Sequence, residues 1–200
     1  VVWMINLYNF MDGMDGFAGG MAVIGFGALG LQGWLVGANE YALINLVIVA
    51  AAGGFLVFNF PPARIFMGDT GSATLGLLAA AMAQWGARDE VLPLWASFLV
   101  FSPFIVDATV TLIRRIFRGE RFWLAHKTHY YQRLVQMGWG HRKTVLAEYA
   151  LMTACAVSAV AAVRVMPAMQ RGVIIFWVLV YAVLMVWVDR LWLRTRTRMK

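Results

Sequence analysis

FAGGMAVIGFGALGLQGWLV, residues 17–36, carries no charged side chain and is as long as a helix that crosses a lipid bilayer. The chain as a whole is 62% hydrophobic and only 14% charged, which excludes an ordinary soluble domain. The sequence therefore predicts an all-α fold, a polytopic transmembrane helical bundle of about six spans with a partial span at 1–5. The other five predicted spans are 41–58, 72–87, 92–113, 145–163 and 172–188.

The basic residues indicate which ends of these spans lie together. When the spans alternate in direction, fourteen of the 17 Lys and Arg fall on one side and three on the other. This bias predicts that the richer side is cytoplasmic. No aromatic–basic ladder accompanies the charge, so membrane lipids or an anionic substrate are favoured over nucleic acid. The richer side holds Arg64, Arg114, Arg115, Arg118, Arg121, Lys127, Arg133, Arg142, Lys143, Arg190, Arg194, Arg196, Arg198 and Lys200, and the poorer side holds Arg88, Arg164 and Arg171.

The same alternation predicts one transmembrane domain over 1–200 without a separate soluble part. Because the chain begins with Val inside apolar sequence, we interpret it as lacking its N-terminal part, with no signal peptide. Cys155 lies within a span and is interpreted as a buried small hydrophobe. The predicted cytoplasmic segments are about 6–16, 59–71, 114–144 and 189–200.

Two glycine-rich motifs hold three acids at predicted cytoplasmic span boundaries. They are NFMDGMDG, residues 9–16, and FMGDTGS, residues 66–72. Clustered carboxylates suit Mg²⁺, which usually binds one or two carboxylates together with substrate phosphates. Glycine lets the backbone approach a phosphate closely. Helix capping by the Asp side chains is the alternative for these acids.

The long basic loop contains all three histidines of the chain: His126, His129 and His141. Phosphate contact by His and Arg suits a loop beside carboxylates that hold a metal. Zinc is disfavoured because no cysteine lies at ligand spacing. A solvated loop that only fixes topology is the alternative.

Two further features lie within spans. Asp107 is either a functional intramembrane acid or a structural partner of Arg114 or Arg115. GFGALG, residues 25–30, fits a dinucleotide-binding pattern but lies within an uncharged span, so close helix packing explains its glycines better.

Three segments together resemble a known membrane family. They are NLYNFMDGMDG (residues 6–16), FNFPPARIFMGDTGS (residues 58–72) and HKTH (residues 126–129), in this order and on one predicted face. The set is similar to the polyprenyl-phosphate N-acetylhexosamine-1-phosphate transferases, glycosyltransferase family 4. That family includes the phospho-MurNAc-pentapeptide translocase, and the loop around HKTH looks most like its O-antigen or lipopolysaccharide branch.

The resemblance implies a function and roles for particular residues. It implies transfer of a sugar-1-phosphate from a UDP-N-acetylhexosamine to undecaprenyl phosphate at the bacterial inner membrane, with release of UMP and the start of a lipid-linked glycan. It implies Mg²⁺, or Mn²⁺, as cofactor on Asp69. A homodimer is compatible with it. The implied catalytic residues are Asp12, Asp15, Asp69, His126 and His129, and the implied substrate-binding residues are Asn9, Asn59, Phe66 (stacked on uracil), Gly68, Ser72 and Arg133.

The family also carries an earlier aspartate pair upstream of these motifs. Because no residue precedes Val1 here, we expect the 200 residues alone to be inactive. The competing hypothesis is a polytopic transporter of an anionic solute that uses Asp107 and the cytoplasmic acids as ion sites. A transporter would place polar groups near mid-span, whereas most polar groups here gather at one face.

Overall fold

The structure is a computed structural model that describes residues 1–121 and 127–198, with the side chains of Ala168, Arg196 and Arg198 excepted. The helices are α1 (Val2–Met11), α2 (Phe17–Leu35), α3 (Asn39–Asn59), α4 (Gly68–Arg88), α5 (Leu94–Val100), α6 (Ser102–Phe117), α7 (Tyr130–Leu134), α8 (Gly140–Ala162) and α9 (Pro167–Arg198). A short π-helical turn, Val135–Trp139, joins α7 to α8.

The predicted all-α membrane fold is confirmed, since the described residues contain no strand. Fewer than the six predicted spans are found when the helices are judged by length and apolarity. Four helical runs qualify, or five if α5 and α6, which are bent by 79° at their junction, count as one span. The missing span is α4, which has 21 residues but carries small and polar side chains where the other spans carry large apolar ones. The qualifying runs are Phe17–Leu35, Asn39–Asn59, Tyr130–Ala162 and Met169–Thr195.

Two predicted cytoplasmic segments contain more helix than a loop would. Residues 6–11 belong to α1, and its Leu7, Tyr8 and Met11 are buried in the bundle. The predicted tail at 189–200 continues α9 as far as Arg198. In both places the helix extends from the apolar span into the neighbouring polar residues, because each residue added to a helix forms a further backbone hydrogen bond.

Antiparallel helix pairs bring the two motifs to one end of the bundle. In α2 and α3, Gly19 lies against Phe55 and Gly33 against Tyr41. In α1 and α4, Ser72 meets Asn9. Met11 at the end of α1 and Gly68 at the start of α4 therefore lie at the same end, which we call the site end.

Glycine allows the closest helix contacts in the bundle. A Cβ atom on Gly76 of α4 would lie 2.6 Å from the carbonyl oxygen of Met4 and 2.7 Å from the Cα of Ile5. On α2, a Cβ on Gly25 would lie 2.5 Å from the ring of Phe101. The interpretation of residues 25–30 as packing glycines agrees with this contact.

A polar cluster lies at the break between α5 and α6. The hydroxyl of Ser102 donates to the carbonyl of Leu99, which loses its regular helical partner at the bend, and lies 2.6 Å from the hydroxyl of Tyr181. Cys155, which is buried and free, lies 3.4 Å from the same hydroxyl. Helix breaks within apolar surroundings need such partners because freed backbone groups find no water there.

Candidate active site

A cavity of about 390 Å³ lies at the site end between the two motifs. It brings together residues that are far apart in sequence, and seven of the predicted site residues line it. The lining residues are Asn9, Asp12, Gly13, Met14, Asp15, Asn59, Phe66, Met67, Gly68, Asp69 and His141.

Hydrogen bonds from two other helices hold the end of the first motif. The N–H of Gly16 donates to Oδ1 of Asn59 at 2.9 Å, and the carbonyl of Gly16 accepts from the hydroxyl of Tyr149. Gly16 has a φ of +75°, a conformation that only glycine adopts readily. Both polar backbone atoms of this residue are therefore satisfied, and the turn into α2 has a fixed course.

Asp15 uses both carboxylate oxygens within the protein. Oδ2 accepts from the N–H of Ala63 at 3.1 Å, and Oδ1 lies 3.2 Å from Nδ1 of His141. The side chain thus joins the first motif to the segment before the second motif and to the start of α8. This role is positional, and it does not cap α2.

Asp12 and Asp69 differ from Asp15, because neither side chain makes a hydrogen bond or ion pair with any residue that the structure describes. Burial and the nearby charge of Asp69 raise the pKa of Asp12 to about 6. Two acids that repel each other in this way are a donor set that a divalent cation would neutralise. The capping alternative is wrong for these acids, because α2 and α4 have no side-chain cap.

The carboxylates of Asp12 and Asp69 fit a Mg²⁺ site only if the substrate supplies the remaining ligands of the metal. Within residues 1–121 and 127–198, no three His, Cys, Asp or Glu side chains converge as a ready-made metal site. Mg²⁺ commonly binds one or two carboxylates and takes its other ligands from phosphates and water. Asp12 and Asp69 match that pattern.

The second motif presents its polar and aromatic groups outward. The Phe66 side chain is 78% exposed, and Gly68 and Asp69 are also exposed. Behind them, Nδ2 of Asn59 donates to the carbonyl of Ile65 at 2.9 Å. The buried hydroxyl of Ser72 lies 2.9 Å from Oδ1 of Asn9, which links α4 to α1 at the wall of the cavity.

Two predicted residues of the basic loop, His129 and Arg133, do not line this cavity. His126 lies outside the described residues. His129 is 3% exposed and its Nδ1 lies 3.2 Å from Oδ1 of Asp107. Arg133 is buried and forms an ion pair with Asp189 at 2.8 Å. The structure therefore places His129 and Arg133 behind the first motif.

Asp107 holds together a layer of buried residues behind the first motif, which consists of Asp107, His129, Tyr130 and Tyr131. Its carboxylate accepts the N–H groups of Tyr130 at 3.0 Å and Tyr131 at 3.1 Å, which are orphan donors in the first turn of α7. The alternative pairing with Arg114 or Arg115 is wrong. Arg114 pairs with Asp189 at 2.6 Å, and Arg115 pairs with Glu120 at 3.5 Å.

The layer reaches the first motif through Tyr131. The Tyr131 hydroxyl donates to the carbonyl of Phe10 at 3.3 Å, and a side chain at Gly13 would collide with that hydroxyl. The ring of Phe10 stacks on His129, with ring centres 6.4 Å apart. His129 thus supports the segment that carries Asp12 from behind.

Sequence reasoning missed two residues of the site, His141 and Tyr149. His141 was noticed as one of three histidines, but nothing in the spacing distinguishes it from the other two. Tyr149 lies within an apolar run at 145–163, where an aromatic residue indicates only burial or a lipid contact. Both roles depend on tertiary contacts with Asp15 and Gly16.

Comparisons with known proteins find one family and many relatives. The family description "Glycosyl transferase family 4" matches residues 1–87. The probable undecaprenyl-phosphate N-acetylglucosaminyl 1-phosphate transferase of Bacillus subtilis (strain 168) is 34% identical over 169 residues, covering 80% of this chain and 46% of that protein. The decaprenyl-phosphate N-acetylglucosaminephosphotransferase of Mycobacterium tuberculosis (strain ATCC 25618 / H37Rv) is 36% identical over 171 residues, covering 74% and 42%.

A third relative has a different transferred group in its name. The phospho-N-acetylmuramoyl-pentapeptide-transferase of Halalkalibacterium halodurans is 35% identical over 144 residues, covering 70% of this chain and 42% of that protein. The chain thus spans less than half the length of these curated relatives.

Proposed function

The chain belongs to glycosyl transferase family 4, and from that premise we propose that the protein transfers an N-acetylhexosamine-1-phosphate from a UDP-sugar to undecaprenyl phosphate. UMP is released, and the lipid-linked sugar starts a cell-envelope glycan such as O-antigen. The protein acts as a multi-pass protein of the bacterial inner membrane with the site end in the cytoplasm. The names of the relatives support this class of substrates.

The observation that carries the proposal is the cavity at the site end. There Asp12 and Asp69, which have no side-chain partner in the described part of the chain, line the same cavity as the exposed ring of Phe66. A nucleotide diphosphate offers complementary groups, namely a flat base and a charged pair of phosphates. Helices with apolar surfaces surround this end, so a membrane lipid can bring its phosphate to the same level.

In the proposed reaction, an oxygen of the lipid phosphate attacks the β-phosphorus of the UDP-sugar. A new P–O bond forms there while the bond from the β-phosphorus to the bridging oxygen breaks. The bridging oxygen leaves with its electron pair as part of UMP. Such transfers depend mainly on positioning and on neutralising charge.

The chain's own residues perform that positioning. Asp69, with Asp12 beside it, would hold Mg²⁺, which supplies positive charge to the diphosphate. Phe66 stacks on uracil, which favours binding of the nucleotide. Asn9, Asn59, Gly68 and Ser72 shape the wall, and Asp15 fixes the first motif against its neighbours.

His126, His129 and Arg133 keep the proposed role of phosphate contacts. For His129 and Arg133 the role requires a rearrangement, because His129 is buried against Asp107 and Arg133 is buried in an ion pair with Asp189. The transporter hypothesis gains no support from Asp107. Its carboxylate already accepts two N–H groups of α7 and the hydroxyl of Thr111.

The direct test is an assay of the complete protein in membranes with labelled UDP-N-acetylglucosamine and undecaprenyl phosphate. We expect Mg²⁺-dependent UMP release and label in the lipid fraction. Asp69→Asn should abolish both. Asp89→Asn is the matched control, because Asp89 is an exposed acid at the opposite end of α4 and pairs with Arg88. UMP release at the wild-type rate in Asp69→Asn would refute the metal site.

A further inference from the structure

We propose that His141, oriented by Asp15, binds a phosphate oxygen of the nucleotide in the cavity. The inference rests on the proposed function for its ligand and adds a residue that belongs to neither motif nor to HKTH. Asp15, in turn, acts as a positioning residue for this histidine.

The hydrogen bond between Asp15 and His141 fixes the chemistry of the ring. A carboxylate only accepts hydrogen bonds, so Nδ1 of His141 must carry the proton toward Oδ1 of Asp15, 3.2 Å away. Asp15 is itself held by the N–H of Ala63 on its other oxygen. Nε2 is then the remaining polar atom of the ring, and when it also carries a proton it can donate to a phosphate oxygen.

The position of His141 supports a contact with an anion. It lies in the first turn of α8, where backbone N–H groups and the helix dipole favour negative charge. Its side chain is 42% exposed and lines the same cavity as Asp12 and Asp69. A group bound in this cavity therefore has both carboxylates and an imidazole among its neighbours.

The charges of the residues that line the cavity favour His141 as the contact for a phosphate. Among the described residues that line the cavity there are three acids, and His141 is the one side chain able to carry positive charge. Lys143 turns elsewhere, with its amine 4.2 Å from the centre of the Trp139 ring. His141 is therefore the lining side chain that can offer a diphosphate a charge-assisted hydrogen bond, and hydrogen bonds of this kind are strong.

Two amide substitutions separate the proposed role from a purely structural one. His141→Asn places an N–H group near the position of Nδ1, which keeps the bond to Asp15 and removes Nε2. His141→Gln places its amide near Nε2 and gives up the bond to Asp15. Binding of UDP and of uridine to each complete, purified variant should be measured by calorimetry in Mg²⁺, together with UMP release.

We expect the dissociation constant for UDP to rise about 100-fold in His141→Asn and about 10-fold in His141→Gln, because loss of one donor to a developing or full charge has effects of about this size. Binding of uridine should not change in either variant. Arg142→Gln is the matched control, since Arg142 is an exposed cation on the same turn that does not line the cavity. It should bind UDP like the wild type.

The opposite order of effects would overturn the inference. If His141→Asn binds UDP as the wild type does while His141→Gln is impaired, the residue only holds Asp15 in place. If the wild type releases UMP from the UDP-sugar and His141→Asn does so equally well, the inference fails while the proposed function stands. A wild-type protein that binds no UDP would overturn both.

Discussion

The two acid–glycine motifs look alike in sequence but differ in their surroundings. In the first, residues 9–16, Asp15 and Gly16 are bonded to α3, α8 and the segment before α4. In the second, residues 66–72, Phe66, Gly68 and Asp69 are exposed, and only Ser72 is buried. The first motif is therefore mainly a framework, and the second mainly a surface for ligands. Asp12 is the exception, because it belongs to the framework segment and has no partner among the described residues.

Of the four substitutions that compare the two motifs here, Asp12→Asn should have the largest effect, and it tests whether Asp12 functions with the second motif. We expect kcat to fall about 1,000-fold, in the range of losing an electrostatic group of the site. The melting temperature without Mg²⁺ should stay the same or rise. Burial and Asp69 raise the pKa of Asp12 to about 6, so the ionised carboxylate costs more free energy in the folded protein than in the unfolded chain, and the amide removes that cost.

The measurements for Asp12→Asn are UMP release and thermal unfolding with and without Mg²⁺. Stabilisation by Mg²⁺ in the wild type should disappear in the variant, because binding to the folded state is what raises stability. A marked fall in melting temperature would instead place Asp12 in the framework with Asp15.

Asn59→Ala should have the next largest effect, because Asn59 contacts both motifs. It leaves the N–H of Gly16 and the carbonyl of Ile65 without partners. Gly16 is buried, and a buried N–H without a partner costs about 1–3 kcal/mol, whereas Ile65 is exposed, so chemical denaturation should show a loss of that order, with reduced activity. Asn59→Asp is the control: it keeps the acceptor for Gly16, loses the donor to Ile65, and should be intermediate. Equal stability of all three proteins would contradict the framework role.

Phe66→Ala tests the second motif as a ligand surface. We expect KM for the UDP-sugar to rise about 10-fold with kcat within about twofold, since stacking on a base is worth about 1–3 kcal/mol. Because Phe66 is 78% exposed, stability should not change. Phe58→Ala, at an exposed position on α3 that does not line the cavity, should leave KM unchanged. A change in melting temperature without a change in KM would assign Phe66 to packing.

Tyr149→Phe should have the smallest effect, about 1 kcal/mol in unfolding free energy, because one hydrogen bond to Gly16 is lost while the ring stays packed. Tyr8→Phe is the matched control. Among the described residues the Tyr8 hydroxyl is buried without a hydrogen-bond partner, so its removal should be neutral or stabilising. If Tyr8→Phe were the more destabilising of the two, the hydroxyl of Tyr149 would not be a support of the first motif.

The sequence predicted the fold class because long uncharged runs leave helices as the only way to satisfy the backbone in lipid. It overcounted the spans because α4 has the length of a span without the apolarity. It predicted that Asn9, Asp12 and Asp69 come together, since charge bias and resemblance placed both motifs at one end. It could not predict that Asp107 binds the N-terminus of α7, because that contact spans two helices and depends on the bend at Phe101.

Gly76 has a consequence for how the protein can vary. The α1–α4 contact at Gly76 fixes the axial register of the two helices, and roughly two helical turns separate it from Asp69. One residue inserted between these positions would turn Asp69 about 100° around the axis of α4 and move it about 1.5 Å along it. The number of residues in that interval is thus as restricted as the identity of the aspartate, and natural homologues should tolerate substitutions there far more readily than insertions or deletions.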